Sequence, residues 1–319
     1  MLNNNKFKSV FNNELYYFIK YKRSLGLKYE QEVNRLKKLD LILFNLKLKS
    51  KKIDKKTFDK LTERNNKNDS NYSRQYGITK DFCKYLINSG YKNIYYEERK
   101  IKVINNYKPI LFNDEEIILL FETMDSYVND SKNKWYYKSY YTYSILFRLI
   151  YSCGLRISEA INISINNVNL QRNIINIVNS KNTVSRIVVL SESMKQCLIE
   201  YIDKFDINNG YLFPNYKNTK INDYTLEQFY KKLLNIACLN SNAHVHDLRH
   251  VFTNHALNQM LEKGYSENVV IVYLSKFLGH KSIYETEYYL HFTDFNKKKI
   301  IDNNDSFSKN LYEGVDFDE

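Results

Sequence analysis

The sequence predicts a mainly α-helical protein with one small β-hairpin. Apolar residues recur at helical spacing over several stretches, as in helices with one buried face. Residues 173–178 and 186–190 are instead rich in Ile and Val, which favour strands, and the residues between them fit a hairpin connection. A chain of 319 residues is long enough for two domains, each with its own core.

The N-terminal part predicts a small, basic, all-helical domain at residues 1–105. Its helical patterns cover residues 10–25, 29–46 and 72–89. These 105 residues carry 25 Lys and Arg against 11 Asp and Glu, which is +14, so the rest of the +12 chain sums to 12 − 14 = −2. Such a basic surface predicts binding to nucleic acid or an anionic membrane, and the alternative is a solvated lysine-rich face.

A linker at residues 91–110 and a second domain at residues 106–299 are predicted next. Asn113 is a good N-cap, and the three acids that follow it favour a helix N-terminus. Further helices are expected at residues 140–153, closed by Gly154, and at residues 222–237. Residues 300–319 form an acidic tail with six acids and one lysine, 1 − 6 = −5.

Other features exclude some classes of protein. The chain has no run of eighteen apolar residues and its N-terminus lacks the apolar core of a secretory signal, so a cytoplasmic protein is expected. Its four cysteines are at least forty residues apart, which argues against a zinc site or a disulfide framework and favours buried, reduced thiols.

All six histidines lie between His244 and His291, one seventh of the chain. His246 and Arg249 have the spacing of neighbours on one helix face, where both can bind a single anionic group. Gly279, in Leu278-Gly279-His280, is expected to end a helix, and Tyr289 lies nine residues after His280. The chemistry of the protein is expected to be in this segment.

Two further candidates precede it. Arg156 follows a predicted buried helix, so it must be paired or face a cleft, and Glu159 could orient it. The alternative is a purely structural ion pair. Lys181 lies in the predicted hairpin connection, where its ammonium could reach a substrate or simply be solvated.

Six residues in this order resemble the active site of tyrosine recombinases, the phage integrase family: Arg156, Lys181, His246, Arg249, His280 and Tyr289. The resemblance is close at residues 154–159, 246–257 and 278–291 and looser around Lys181. It implies a mixed, mostly helical catalytic domain. Residues 1–105 are similar to the family's helical core-binding domain only in size, charge and position.

The resemblance implies a site-specific recombinase that cuts and rejoins DNA without metal or cofactor. Tyr289 would attack a phosphodiester to leave a 3′-phosphotyrosyl bond, which a 5′-hydroxyl of another strand can reseal without ATP. The paired arginines suit the nonbridging oxygens because guanidinium binds phosphate bidentately. Lys181 would be the general acid, and His280 would hydrogen-bond the phosphate or simply cap a helix. Only spacing favours Tyr289 over Tyr288.

A zinc site at His246 and His250, four residues apart, is a weaker interpretation because the charge of Arg249 would repel a cation. Asp247 and His250 are interpreted as supports for their neighbours, and the other three histidines, His244, His255 and His291, as structural.

The partner implied by the resemblance is double-stranded DNA, clamped between the two domains. Four subunits would assemble on two DNA sites, and accessory DNA-bending proteins could take part. Integration, excision and resolution are all open. The alternatives are a type IB topoisomerase-like enzyme and a DNA-binding relative without catalysis.

Overall fold

The computed structural model describes residues 7–63, 69–99, 101, 107–131, 134–178 and 185–292. The chain divides into two compact units, Met1–Tyr107 and Lys108–Glu319. Helices dominate both units, and the strands form one small three-stranded sheet in the second. The predicted fold class, mainly helical with a small sheet, is confirmed.

In its described residues, the first unit is a cluster of four helices around an aromatic and aliphatic core. The helices are α1 (Asn12–Ser24), α2 (Gln31–Asn45), α3 (Lys55–Leu61) and α4 (Asp69–Asn88). The helical periods predicted α1, α2 and α4, whereas for the short α3 the sequence indicated only a helix start among the lysines that end at Lys56. Asp54 caps it by accepting a hydrogen bond from the Thr57 N–H at 2.7 Å. Buried side chains between the helices include Phe11, Phe18, Leu36, Phe58 and Phe82.

Part of the predicted linker packs against this first unit. Ile94 forms a parallel bridge with Ile53, and the Tyr76 hydroxyl donates to the Glu97 carbonyl at 2.8 Å. Residues 91–97 are therefore structured, although they lack a periodic pattern, because their contacts are made by isolated side chains and single backbone bonds.

The second unit contains eight helices and the sheet among its described residues. The helices are α5 (Asp114–Asn129), α6 (Lys134–Cys153), α7 (Ile157–Ala160), α8 (Glu192–Phe205), α9 (Asp223–Ile236), α10 (Asp247–Glu262), α11 (Glu267–Leu278) and α12 (Tyr284–Glu287), with 3-10 turns at Ile165–Asn167 and Tyr288–Phe292. The predicted N-cap of α5 is confirmed: Asn113 Oδ1 accepts from the Glu116 N–H at 2.8 Å, and Glu116 accepts in return from the Asn113 N–H at 2.9 Å.

The predicted hairpin is also confirmed and is part of an antiparallel sheet. Strand β2 (Ile174–Ile177) pairs with β3 (Arg186–Val189), so that Ile177 lies opposite Arg186. The two-residue strand β1 (Val168–Asn169) adds a third, unpredicted member beside β2. Arg186 is the first residue of β3.

Helix α6 packs against α5, α8 and α10, and its C-terminal end lies close to neighbouring helices. Gly154 follows it with a φ of +58°, and a Cβ there would lie 2.5 Å from the Phe252 ring and 2.8 Å from a Leu278 methyl. Phe252 belongs to α10 and Leu278 to α11. Only glycine therefore allows α6, α10 and α11 to approach this closely.

Two predictions based on composition have different outcomes. Cys83 and Cys153 are buried as expected, but Cys197 is only partly buried and Cys238 is exposed, so the prediction of four buried thiols is wrong. Cys238 lies beyond the end of α9 with a φ of +54°, in a turn that leaves it at the surface. No helix within the described part of the chain is both long and apolar enough to span a membrane.

Replacing Gly154 with Ala is expected to lower the free energy of unfolding of the second unit by about 3 kcal/mol, because the new methyl group would collide with Phe252 and Leu278. Gly264→Ala is the matched control: its φ of +86° is also left-handed, but nothing lies within 4 Å of an added Cβ. Only backbone strain of about 1 kcal/mol applies there. Urea unfolding followed by circular dichroism measures both losses, and equal losses would contradict the steric role of Gly154.

Candidate active site

The candidate site is built from five separate segments of the second unit. Arg156 is the N-cap of α7, Arg186 begins β3, and Arg249 lies in the first turn of α10. His280 follows the end of α11, and Tyr289 lies in the final 3-10 turn. Residues far apart in sequence therefore supply the polar groups.

Glu159 is the common partner of the arginines, with its side chain only 1% exposed. Arg186 donates two parallel hydrogen bonds to it, Nη1 to Oε1 and Nη2 to Oε2, each at 2.8 Å. Arg156 donates from Nη1 to Oε1 at 2.9 Å and from its backbone N–H to Oε2 at 3.0 Å. Arg249 Nη1 lies 3.8 Å from Oε2. One carboxylate thus holds three guanidinium groups together.

The cluster has a net positive charge. Burial by itself would raise the pKa of Glu159, but the hydrogen bonds and charge of Arg186, together with the hydrogen bonds of Arg156, lower that pKa to about 2. Glu159 is therefore ionised at physiological pH. Counting only the described residues, three guanidinium groups against one carboxylate leave 3 − 1 = +2, which suits the binding of a phosphodiester anion.

Arg249 is almost completely buried, with 2% of the residue exposed. Its Nη1 donates to the Gly154 carbonyl at 2.8 Å and its Nη2 to the Leu278 carbonyl at 2.9 Å. These carbonyls lie at the C-terminal ends of α6 and α11, where the helix dipoles favour a cation. Burial, followed by repulsion from Arg156, lowers the pKa of Arg249 to about 9, and the group is still protonated at neutral pH.

Arg156 is the more accessible of the two arginines predicted from the sequence, with 14% of its side chain exposed. Its Nη2 donates to the Gly279 carbonyl at 3.4 Å and its Nη1 to Glu159. A guanidinium has five N–H groups, so these two bonds leave donors for an incoming anion.

His280 closes α11 through its backbone and faces the arginines with its ring. Gly279 has a φ of +64°, and the His280 N–H donates to the Ser275 carbonyl at 3.0 Å. His280 Nδ1 lies 2.7 Å from the Thr286 hydroxyl. Burial and the charges of Arg249, Arg156 and Arg186 lower its pKa to about 3, so the ring is neutral at physiological pH. A neutral imidazole carries one N–H, and the tautomer with this proton on Nε2 lets Nδ1 accept from Thr286 and leaves Nε2 as a donor.

Tyr289 and Tyr288 lie in different environments. Tyr289 is 3% exposed and packs with apolar residues of α10 and α11. Its hydroxyl is hydrogen-bonded to His250 Nδ1. Burial raises the pKa of Tyr289 to about 12, although the nearby charge of Arg249 acts in the opposite direction. Tyr288 is 41% exposed.

His246 lies just before α10, as its N-cap residue. It is exposed, whereas Arg249 is buried, so the two side chains occupy different depths. The ring of His246 is 4.8 Å from that of His250, edge to face. Lys181, the remaining candidate, lies outside the described residues.

The site also contains three side chains that the sequence did not single out for it. Neither Arg186 nor Thr286 was among the candidate residues. His250 was interpreted as a support, yet it contacts the tyrosine hydroxyl. The available signal for Arg186 was an arginine within an apolar strand, which requires a buried acid as partner.

The other histidine-segment residues make contacts of a structural kind. His244 Nδ1 lies 2.5 Å from Glu227 Oε1, and the backbone N–H of His244 donates to the buried Asp247 carboxylate at 2.8 Å. His255 Nε2 lies 3.1 Å from the Phe112 carbonyl. The side chain of His291 is outside the described part. Within that part, no group of three or more His, Cys, Asp or Glu is arranged to hold a metal ion.

Glu159→Gln is expected to lower the free energy of unfolding by about 3 kcal/mol at neutral pH, because it leaves buried guanidinium groups without a counter-charge. The pKa of Glu159 is depressed in the folded state, so its ionisation stabilises the fold above about pH 4.5, and this contribution is lost as the pH falls toward 2. The variant should therefore lose less stability than wild type on acidification.

Urea unfolding at pH 7 and pH 3 measures this difference. Glu192→Gln is the control, because Glu192 is an exposed carboxylate paired with Lys195 at 2.9 Å, and no measurable change is expected. A Glu159→Gln protein as stable as wild type at pH 7 would contradict the central role of this carboxylate.

Comparison with known proteins shows which family the chain belongs to. The model of the phage integrase family matches residues 113–295, which is more than half of the chain. Tyrosine recombinase XerC of Staphylococcus epidermidis is 26% identical over 202 residues, 61% of this chain and 61% of that protein. The chain thus spans about three fifths of the length of this relative.

Two solved structures share the fold. XerH site-specific recombinase bound to palindromic difH substrate has a TM-score of 0.63 and 19% identity, over 87% of this chain and 80% of that one. A lambda integrase tetramer bound to a Holliday junction has a TM-score of 0.59 and 14% identity, over 88% and 80%. Because the family match covers residues 113–295 and includes the residues of this site, the chain belongs to the phage integrase family, the tyrosine recombinases.

Proposed function

We propose that this protein is a site-specific DNA recombinase that cuts and rejoins strands through a covalent bond between Tyr289 and a 3′ phosphate. The observation that carries the proposal is the positively charged cluster of Arg156, Arg186 and Arg249 on Glu159, in the same unit as a buried tyrosine. Membership of the tyrosine recombinase family and the XerC relative support it.

In the cleavage step, Tyr289 Oη bonds to phosphorus and the bond from phosphorus to the 5′ oxygen breaks. Negative charge that develops on the nonbridging oxygens is stabilised by Arg156 and Arg249, whose positions are fixed before the substrate binds. His280, as a neutral N–H donor, suits one of the same oxygens. His246, which is exposed, suits a further contact with the phosphate.

The departing 5′ oxygen needs a proton, and Lys181 is the group proposed to supply it. The support for Lys181 is the family resemblance and its place in the β2–β3 connection. A substrate with sulfur in place of that 5′ oxygen needs no acid, since a thiolate is a good leaving group, so it isolates this role from the others. Rejoining is the reverse reaction with the 5′-hydroxyl of another strand.

The proposed substrate is double-stranded DNA. The +14 charge of residues 1–105 supports a DNA-binding role for this region as a core-binding domain, with residues 106–299 as the catalytic domain. The XerH structure that shares the fold contains its difH DNA.

The experiment that tests the function uses nicked duplexes from the DNA that flanks the gene. Wild type and Tyr288→Phe should form a protein–DNA adduct at the 3′ end, whereas Tyr289→Phe should bind DNA but form none, because it lacks the nucleophilic oxygen. Denaturing gels measure the adduct and gel shift measures binding.

Tyr288→Phe is the matched control for this test, since it removes the same hydroxyl from the adjacent, exposed residue. Adduct loss only in Tyr288→Phe would move the nucleophile by one residue. DNA binding by all three proteins with no adduct in any would contradict strand cleavage.

We also propose that four copies assemble on two DNA sites and that the acidic residues 300–319 contact a neighbouring copy. The lambda integrase that shares the fold is a tetramer on a Holliday junction, which supports the assembly. The tail carries six acids and one lysine, 1 − 6 = −5, and lies outside the described residues.

Deletion of residues 300–319 is expected to weaken the joining of two sites more than tenfold while changing binding to one site less than about twofold, since the tail would act between subunits. Native gels with one or two labelled duplexes measure both. Changing the six tail acids to amides is the control that separates charge from length. Unchanged assembly after the deletion would contradict the role of the tail.

A further inference from the structure

We infer that His250 is the general base of the reaction, which takes the phenol proton of Tyr289 during strand cleavage and returns it during rejoining. This inference rests on the proposed function and adds a residue outside the six that the sequence singled out.

Geometry carries the inference. Among the described residues, Tyr289 Oη is hydrogen-bonded to the ring nitrogen Nδ1 of His250. The two rings are 5.5 Å apart between centroids and tilted by 36°. This is the contact that a general base must make with the proton that it removes.

The first turn of α10 explains why this contact exists. Arg249 and His250 are consecutive, so their side chains leave the helix about 100° apart. Arg249 reaches the carbonyls of Gly154 and Leu278, and His250 is then directed toward the 3-10 turn that carries Tyr289. The anion-binding group and the base are thus fixed by the same two residues of one helix.

The pKa values of the two groups fix the protonation states of the free protein. Burial, followed by the charges of His246 and Arg249, lowers the pKa of His250 to about 3, so the ring is neutral and can accept a proton at physiological pH. The pKa of Tyr289, raised by burial to about 12, keeps its proton in place. A neutral acceptor therefore faces a protonated nucleophile before the substrate arrives.

A bound phosphodiester favours the transfer. Its negative charge would offset Arg249, one of the charges that disfavour a protonated His250. An imidazolium formed beside the phosphate would also gain from that charge. Proton removal is thereby linked to the presence of DNA, and the tyrosine of the free protein stays protonated.

Other ionisable groups around the pair are less suited to this role. Arg249 and Asp247 on α10 and Tyr288 on the 3-10 turn act on Tyr289 through their charges. Besides Tyr289, the charged or titratable neighbours of His250 include, within the described part of the chain, His246, Arg249 and, after α11, His280. Arginine cannot accept a proton, and the Asp247 carboxylate accepts from the His244 N–H. His246 lies beside His250 rather than at the hydroxyl.

The step balances without an added reactant. In cleavage, the Tyr289 O–H bond breaks, a bond forms between that hydrogen and His250 Nδ1, Oη bonds to phosphorus, and the 5′ oxygen leaves with a proton from the acid proposed at Lys181. In rejoining, the oxygen of the 5′-hydroxyl bonds to phosphorus and the bond from phosphorus to Tyr289 Oη breaks. The hydroxyl proton returns to that acid, and His250 gives its proton back to Tyr289 Oη.

The test is the single-turnover rate of adduct formation on nicked duplexes. His250→Gln keeps a side chain that can hydrogen-bond but cannot take the proton, so the rate should fall about 100-fold or more while DNA binding changes less than about twofold. Between pH 7 and 9 its rate should rise about tenfold per pH unit, as the phenolate fraction grows. His246→Gln is the matched control and should not acquire this dependence.

A second substrate separates the base from the acid. With sulfur at the 5′ bridging position, Lys181→Ala should recover most of its rate and His250→Gln should not, because only the acid becomes unnecessary. Rescue of both variants, a near-normal rate for His250→Gln on ordinary DNA, or a lowered rate with the pH profile of wild type would overturn the inference.

The wild-type protein provides a test that remains valid even if a substituted protein fails to fold. Its rate should change little between pH 7 and 9, since the pKa values of about 3 for His250 and about 12 for Tyr289 lie outside this range. A tenfold rise per pH unit in wild type would overturn the base role. Absence of any adduct in wild type would instead overturn the proposed function itself.

Discussion

The interaction on which the site depends is the ion pairing of one buried carboxylate, Glu159, with three guanidinium groups. Desolvating an ion costs several kcal/mol even after relaxation, so three buried or half-buried arginines could not lie together without this partner. The carboxylate does not neutralise the three arginines, because two positive charges remain in excess. Hydrogen bonds to Glu159 fix the positions of the Arg156 and Arg186 side chains. A phosphate can therefore bind to donors that already have their final positions, and little reorganisation is needed.

Backbone carbonyl groups provide further stabilisation of the buried charge of Arg249. The Arg249 charge is solvated by two carbonyl groups, one from Gly154 after α6 and one from Leu278 at the end of α11. Both helices end with a glycine at positive φ, Gly154 and Gly279, which directs the terminal carbonyls inward. The fold of the second unit and the chemistry of its site are thus joined at two helix C-termini, and a change that alters either turn should affect both.

The sequence predicted the parts of this molecule that depend on local pattern. Helical period, the Asn113 cap, the glycine stops and the β2–β3 hairpin follow from neighbouring residues, and the structure contains each of them. The spacing of polar residues also selected Arg156, Arg249 and His280 as candidates, and the structure brings these three together in one charged cluster.

The contacts that the sequence could not predict are long-range. Arg186 meets Glu159 across 27 residues, and His250 meets Tyr289 across 39. The periodicity of the sequence does not specify such pairs. It also does not show that Tyr289 is buried and Tyr288 exposed, because this difference arises from packing against α10 and α11.

Burial has opposite effects on the pKa values of the groups in this site, and the proposed reaction needs both effects. The same removal from water raises the pKa of Tyr289 to about 12 and lowers those of His250 and His280 to about 3. It thereby keeps Tyr289, the proposed nucleophile, protonated and the two histidines neutral, which are the states that the proposed proton acceptor and hydrogen-bond donor require. Only the arginines keep their charge, because Glu159 and the helix ends compensate them. In the proposed reaction, the groups that bind phosphate are charged and the groups that transfer the proton are neutral, so DNA would bind to a site whose tyrosine is not activated in its absence. This separation follows from the depth at which each side chain lies.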